Sequence, residues 1–151
     1  MRNVYRVLAY LLSLEVLVQG MAIAYAIAGL GKWVEDDGGV LNKQVMDSDN
    51  ADFPGVGGFA IHGINGTMII PLVVLLLLIV SFFAKVPGGI KRAAILFGLV
   101  ALQIFLGIFA HSVPFVIVFH VLNAFAIFIG AFMTGRAAST VAAPAEATVA
   151  A

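Results

Sequence analysis

Cysteine and charge are what this 151-residue chain has least of. It contains no cysteine, and only 11% of its residues are charged, eight basic and eight acidic. Soluble domains average about 25% charged residues, so this chain has too few charges to cover a soluble surface of its size. These absences exclude a soluble enzyme, a disulfide scaffold and a cysteine-ligated metal or iron–sulfur site. A net charge of zero without a basic patch excludes a nucleic-acid binder.

Hydrophobic residues make up 62% of the chain and form four long runs. Each run is at or near the ~17–25 residues that a transmembrane helix needs, whereas strands of a membrane barrel are about half as long and alternate. The runs are Val4–Gly31, Ala60–Ala84, Ala93–Ala110 and Pro114–Thr134. The sequence therefore predicts an all-α integral membrane bundle over residues 1–136. The first run is too long, and carries Glu15 too deep, for a cleaved signal peptide.

The charges outside these runs are sorted by sign. Six of the eight basic residues lie at the start of the first run, between the second and third, or after the fourth: Arg2, Arg6, Lys85, Lys91, Arg92 and Arg136. Six acidic residues lie in the connection 32–59: Glu35, Asp36, Asp37, Asp47, Asp49 and Asp52. The positive-inside rule then puts both termini in the cytoplasm and the acidic loop outside. This loop either docks a cationic partner or is simply solvated.

Short connections elsewhere predict antiparallel neighbours, and so an up-down-up-down four-helix bundle in the cell membrane. The tail 137–151 has low complexity and is predicted to be disordered, because it offers nothing to bury.

Few polar side chains interrupt the runs, and the set includes all three histidines of the protein. A polar group in hydrocarbon is costly, so each needs a partner and a functional role is the default reading. The set is Glu15, Gln19, His62, Asn65, Thr67, Gln103, His111, His120 and Asn123. The three histidines fall in the outer half of the bundle, with His120 roughly 9 Å below Pro114 at 1.5 Å per residue.

Histidines at one depth suit a bound haem, which takes two axial nitrogens on opposite faces. In an antiparallel bundle the second and fourth helices are diagonal, which makes His62 and His120 the candidate ligands, with His111 at the edge of the same region. The alternative is that these histidines are hydrogen-bonded packing residues. Small or amide residues near the pair are predicted to support it: Gly63 and Gly66 would let a macrocycle approach, and Asn65 and Asn123 would orient ring nitrogens or propionates.

Glu15 and Gln19 are four residues apart and share one helix face. They fit a proton path, a quinone contact or a contact with a partner subunit. The alternative is a protonated Glu15 that bonds to Gln103 or Gln19 inside the bundle. Gln103, Gly107 and His111 form a second stripe at the same spacing, in which Gly107 permits close packing.

The second half of the chain resembles the heme A synthase family. The run LQIFLGIFAHSVPFVIVFHVLNAFAIF, residues 102–128, is similar to that family's third-to-fourth helix segment, and HGINGTMIIPLVVLLLLIV, residues 62–80, to its other ligand helix. Members consist of two four-helix halves, each with a histidine pair on its second and fourth helices, and this chain looks like one half. The resemblance implies that His62 and His120 are haem ligands.

Two departures limit what the resemblance implies. Phe59 stands where the catalytic half has a glutamate, and Gly63 where it has an arginine; the cysteine pair of many members is also missing. Haem ligation is therefore carried over, and oxidation of the haem methyl group is not.

The sequence thus predicts an integral membrane protein that binds one b-type haem through His62 and His120 near the outer face, for electron transfer or haem handling, for example as a subunit of a respiratory complex. It would work with other membrane subunits or as a homodimer. One alternative is a cofactor-free accessory subunit whose polar residues join helices. The other is a half-size heme A synthase-like oxidase that acts as a dimer.

Overall fold

The computed structural model describes residues 1–47 and 52–140, and the regular structure in this part of the chain is helical throughout. The six α-helices are α1 (Arg2–Glu35), α2 (Lys43–Asp47), α3 (Gly57–Ile64), α4 (Ile70–Ser81), α5 (Gly89–Ala110) and α6 (Ile117–Ser139). A π-helical segment, Asn65–Ile69, joins α3 to α4, and a 3₁₀ turn, Pro114–Val116, leads into α6.

Four helical stretches are long and apolar enough to cross a membrane, as predicted. They are Arg2–Glu35, Gly57–Ser81, Gly89–Ala110 and Pro114–Ser139. The architecture is therefore that of a multi-pass membrane protein. The last helix continues to Ser139, so the first residues of the tail predicted to be disordered are helical; residues 141–151, like Asp49 of the acidic loop, lie outside the described residues.

The second spanning helix contains the π-helical segment because a proline follows it. Pro71 has no N–H to donate to the preceding turn and its ring crowds that turn. The backbone widens instead, and the N–H of Ile70 bonds to the carbonyl of Asn65, five residues back. The wide turn comes directly after the turn that carries His62, and π-helical turns of this kind are frequent at functional sites.

The four spanning helices pack in a ring in which α1 contacts α6 and the α3–α4 stretch, and α5 contacts α4 and α6. The hydrophobic core lies toward one end of this ring. Its largest fully buried side chains are Tyr5, Leu12, Leu77, Leu96, Ile127, Val74 and Thr134. Burying such side chains contributes about 1.5–3 kcal/mol each in a soluble protein; within a membrane, close packing of the same surfaces provides the stability.

Tyr5 connects two helices at the core end, where its hydroxyl donates to the carbonyl oxygen of Gly89 at 2.9 Å. Tyr5→Phe removes this bond alone and should lower the free energy of unfolding by about 0.5–1.5 kcal/mol. Thermal unfolding of the detergent-solubilised protein, followed by circular dichroism, measures the change. Tyr25→Phe is the control, because Tyr25 is 62% exposed. Equal losses in the two variants would contradict a role for the Tyr5 hydroxyl.

The described part of the loop 32–59 folds against the opposite end of α1. Trp33 stacks on Phe53 with ring centroids 5.5 Å apart, and Phe53 meets Phe59 edge-on. Gly29 is required beneath this loop, because a Cβ there would collide with the carbonyl of Pro54. The loop therefore fixes where α3, with His62 in it, begins.

Candidate functional site

His62 in α3 and His120 in α6 face each other. Their ring centroids are 6.3 Å apart and the ring planes are inclined by 52°. Both side chains are partly buried. His111 follows the last residue of α5 and is exposed. The structure thus brings together the two histidines that the sequence pairs and leaves the third apart.

Both rings are held by backbone carbonyl oxygens of neighbouring helices. Nδ1 of His62 lies 3.3 Å from the carbonyl oxygen of Gln19, and Nδ1 of His120 lies 3.1 Å from that of Gln103. A carbonyl oxygen only accepts, so Nδ1 is the protonated nitrogen in each contact and Nε2 keeps its lone pair. This assignment of the proton follows from the acceptor. Proteins usually orient a metal-ligating histidine by a hydrogen bond from the ring nitrogen that does not bind the metal.

The spacing of the two rings matches two ligands on opposite sides of one metal ion. A ligating imidazole nitrogen lies about 2 Å from its metal and about 1 Å from its own ring centroid, so two such rings have centroids roughly 6 Å apart. His62 and His120 are 6.3 Å apart. Within the described ranges no group of three or more His, Asp or Glu side chains could hold a metal ion. A pair suits a metal whose other ligands come with it, as in haem.

The two asparagines do not hold the histidine rings, which corrects one prediction. Asn65 donates to the carboxylate of Glu15 at 2.9 Å, and Asn123 donates to Gln103 Oε1 at 2.7 Å and to the carbonyl of Leu99 at 2.8 Å. Both side chains are buried. Backbone carbonyls orient the rings instead, because they are already close where the helices pack. A contact of these amides with haem propionates stays a prediction.

Glu15 and Gln19 both face the helix that carries His62, as their spacing predicts. Gln19 Nε2 donates to the carbonyl oxygen of His62 at 3.0 Å. The partner of Glu15 is Asn65, rather than the expected Gln103 or Gln19. Gln19 Oε1 is buried and has no hydrogen-bond partner among the described residues. A buried acceptor without a donor costs about 1–3 kcal/mol.

Glycines allow close contacts near the histidines, but the glycine next to a histidine ring is Gly107, and not Gly63 or Gly66 as predicted. A Cβ on Gly107 would lie 3.1 Å from Cε1 of His120, so Gly107 makes room for that ring. A Cβ on Gly66 would lie 2.5 Å from Gln19 Nε2, so Gly66 admits the amide of Gln19. Gly63 is exposed with open space around it, and its carbonyl accepts from Thr67 Oγ1 at 2.7 Å. Gly107 is therefore the glycine that contacts a candidate ligand.

At the histidine end of the bundle, none of the large side chains of the described residues is fully buried. The large, fully buried residues end at Leu12 in α1, begin at Val74 in α4, end at Leu96 in α5 and begin at Ile127 in α6. Beyond these limits lie three buried aliphatic residues of the core cluster, Ile70, Val73 and Val100, and the aromatic Phe53 of the loop. The other buried residues there are small or polar: Ser13, Ala26, Gly29, Gly58, Asn65 and Asn123. The donor set, two histidine rings on facing helices, fits a metal whose other ligands come with it.

His111 lines a separate surface cavity of about 350 Å³ with Gly107, Ala110, Pro114 and Ile117. It is one helical turn beyond Gly107. Its position outside the pair makes it a natural control for the roles of His62 and His120.

The carbonyl oxygens of Gln19 and Gln103 are the functional groups that sequence reasoning missed. Every residue has a carbonyl, so residue type carries no signal for this role. Only their position indicated this role, because Gln19 and Gln103 both lie in hydrophobic runs at about the same depth in the membrane as the histidines.

Comparisons of the chain with protein-family models, with curated proteins and with solved structures found no match.

Proposed function

We propose that this protein is an integral membrane protein that binds one b-type haem through His62 and His120 and serves electron transfer or haem handling. One observation carries the proposal: the two rings are 6.3 Å apart, and each is oriented by a carbonyl on Nδ1 that leaves Nε2 for a metal. The resemblance of residues 62–80 and 102–128 to heme A synthases agrees with the same pair.

A haem held by His62 and His120 would supply one-electron chemistry, and ligation by both side chains would favour electron transfer over oxygen chemistry. The chain's own residues do the rest. The carbonyls of Gln19 and Gln103 fix the rings, and Gly107 leaves space for His120.

The proposal includes an orientation in the cell membrane. Both termini lie in the cytoplasm, the helices run up-down-up-down, and the histidine pair lies near the outer face. The distribution of basic residues supports this orientation. Arg2, Lys91 and Arg92 lie near the end of the bundle that contains the hydrophobic core, where Tyr5 bonds to Gly89, and the positive-inside rule places such residues on the cytoplasmic side. Other membrane subunits, or a second copy, are the proposed partners.

A cofactor-free accessory subunit is the second candidate, and the bonds between helices favour it. Asn65 with Glu15, Asn123 with Gln103 and Ser13 with the carbonyl of Phe128 each join two spanning helices. Such bonds are worth about 0.6 kcal/mol each in a membrane. Polar residues of a purely structural subunit would serve this purpose alone.

A reduced-minus-oxidised spectrum of the purified full-length protein separates the two candidates. Bound haem gives the α-band of a b-type, six-coordinate haem, and pyridine extraction gives about one haem per chain. A protein that is folded by circular dichroism but has neither the band nor extractable haem would overturn the proposal in favour of the accessory subunit. If the protein is co-expressed with a source of haem O and the extracted haem O proves to be oxidised, the result would instead indicate the heme A synthase-like oxidase.

A further inference from the structure

Glu15 is an acidic group deep inside a spanning helix, in a position that the proposed ligation does not use. It lies in α1 with Asn65 as its hydrogen-bond partner, and it makes no ion pair with any described residue. An ionised carboxylate in apolar surroundings is costly without a compensating charge. A neutral amide donor reduces that cost but does not remove it.

Glu15 is linked to the histidine pair through two neighbours. Asn65, which donates to its carboxylate, lies one helical turn after His62. Gln19, one turn after Glu15 on the same face, bonds to the backbone of His62 through its amide and to the ring through its carbonyl. A charge on a metal held by His62 would therefore act on Glu15 through a medium of low dielectric constant.

The unpartnered oxygen of Gln19 is an acceptor that suits a protonated form of Glu15. Gln19 Nε2 is occupied by the carbonyl of His62, which leaves Oε1 buried and in need of a donor. An ionised Glu15 cannot supply one, whereas a protonated Glu15 gains an O–H donor. The i, i+4 spacing places the two side chains on one face. Asn65 thus supports the carboxylate, and Gln19 offers an acceptor to the acid.

We propose that Glu15 is a proton-binding site coupled to electron uptake at the histidine pair, an inference that rests on the proposed function. Transfer of one electron from a one-electron donor to a haem held by His62 and His120 would remove one positive charge beside His62. Glu15 then takes up one proton at its carboxylate, and it releases that proton when the electron leaves. One electron and one proton enter together, so the charge of the site is unchanged.

No other carboxyl competes for this role on the helices packed against α1. The π-helical segment and α4 carry no charged or titratable residue, α3 carries His62, and α6 carries His120 and Arg136. Arg136 lies beside Gly135, which packs on Tyr10, at the core end. On α1 itself the remaining titratable or charged residues are Arg2, Tyr5, Arg6, Tyr10, Tyr25, Lys32 and Glu35.

The test is a redox titration of the haem-loaded, full-length protein from about pH 5 to pH 8 with dithionite and ferricyanide. In the wild type, the ratio of reduced to oxidised protein at a fixed potential should change by up to about tenfold per pH unit within the coupled range. Glu15→Gln should abolish this dependence. Glu35→Gln, the same change at the exposed end of α1, should leave it intact.

Infrared difference spectra on reduction provide a second readout. The wild type should gain a protonated-carboxyl band, and Glu15→Asp should shift it, even if Glu15→Gln fails to retain haem. A haem-loaded protein whose potential is independent of pH, or a band unchanged by Glu15→Asp, would overturn this inference while haem binding stands. A wild type without haem would overturn both.

Discussion

Replacing His62 or His120 with alanine is expected to remove most of the bound haem. Each change would delete one of the two proposed ligands, and even the loss of a residue that only orients a ligand costs about 10–100-fold in metal affinity. Haem content per chain should therefore fall at least about tenfold, with any residual haem shifted away from the six-coordinate spectrum. Pyridine extraction and reduced-minus-oxidised spectra of the purified variants measure both.

His111→Ala is the matched control for this experiment. His111 is exposed, caps α5 and lies outside the pair, so its removal should leave haem content and spectrum unchanged. An equal loss from all three variants would mean that the ligand pair is wrong. Normal haem in both His62→Ala and His120→Ala would exclude ligation by either residue.

Gly107→Leu is expected to have the next largest effect on haem binding. A Cβ at Gly107 would already lie 3.1 Å from Cε1 and 3.3 Å from Nδ1 of His120, and leucine adds three more carbons there. Overpacking of this kind costs about 1–3 kcal/mol, which corresponds to about five- to 150-fold in affinity if the cost falls on the His120 ring. Haem titration of the apoprotein measures the change.

Gly98→Leu is the control on the same helix, because nothing lies within 4 Å of a Cβ at Gly98. It tests whether a larger residue in α5 disturbs the protein in general. Haem affinity should be unchanged in Gly98→Leu. Comparable losses at both positions would show that Gly107 acts on the helix and not on His120.

The spans were predictable because the hydrophobic runs are long and the charges lie between them. The proximity of His62 and His120 was predictable from their depth and from the order of the helices. The ends of the helices were harder to predict than the spans. Helix α1 continues to Glu35 and α6 to Ser139, because backbone hydrogen bonding continues past the apolar run into polar residues.

The partners of the polar side chains could not be predicted. Asn65 is three residues after His62, which suggested a contact with that ring, but the π-helical segment changes the helix geometry at this position and Asn65 meets Glu15 instead. Pro71 was the signal for an irregular turn. A proline indicates that a turn is disturbed, but not whether the helix kinks or widens.

Glu15 lies thirteen residues after Arg2, about 20 Å along the helix axis at 1.5 Å per residue. An apolar layer is about 30 Å thick, so the carboxyl lies within the electric field of an energised membrane. Moving one unit charge across the whole layer involves about 2.3 kcal/mol per 100 mV. A proton that reaches Glu15 from either surface crosses part of that voltage drop. If Glu15 binds a proton as proposed, the transmembrane voltage acts on that step, and proton binding then differs between an energised membrane and a discharged one.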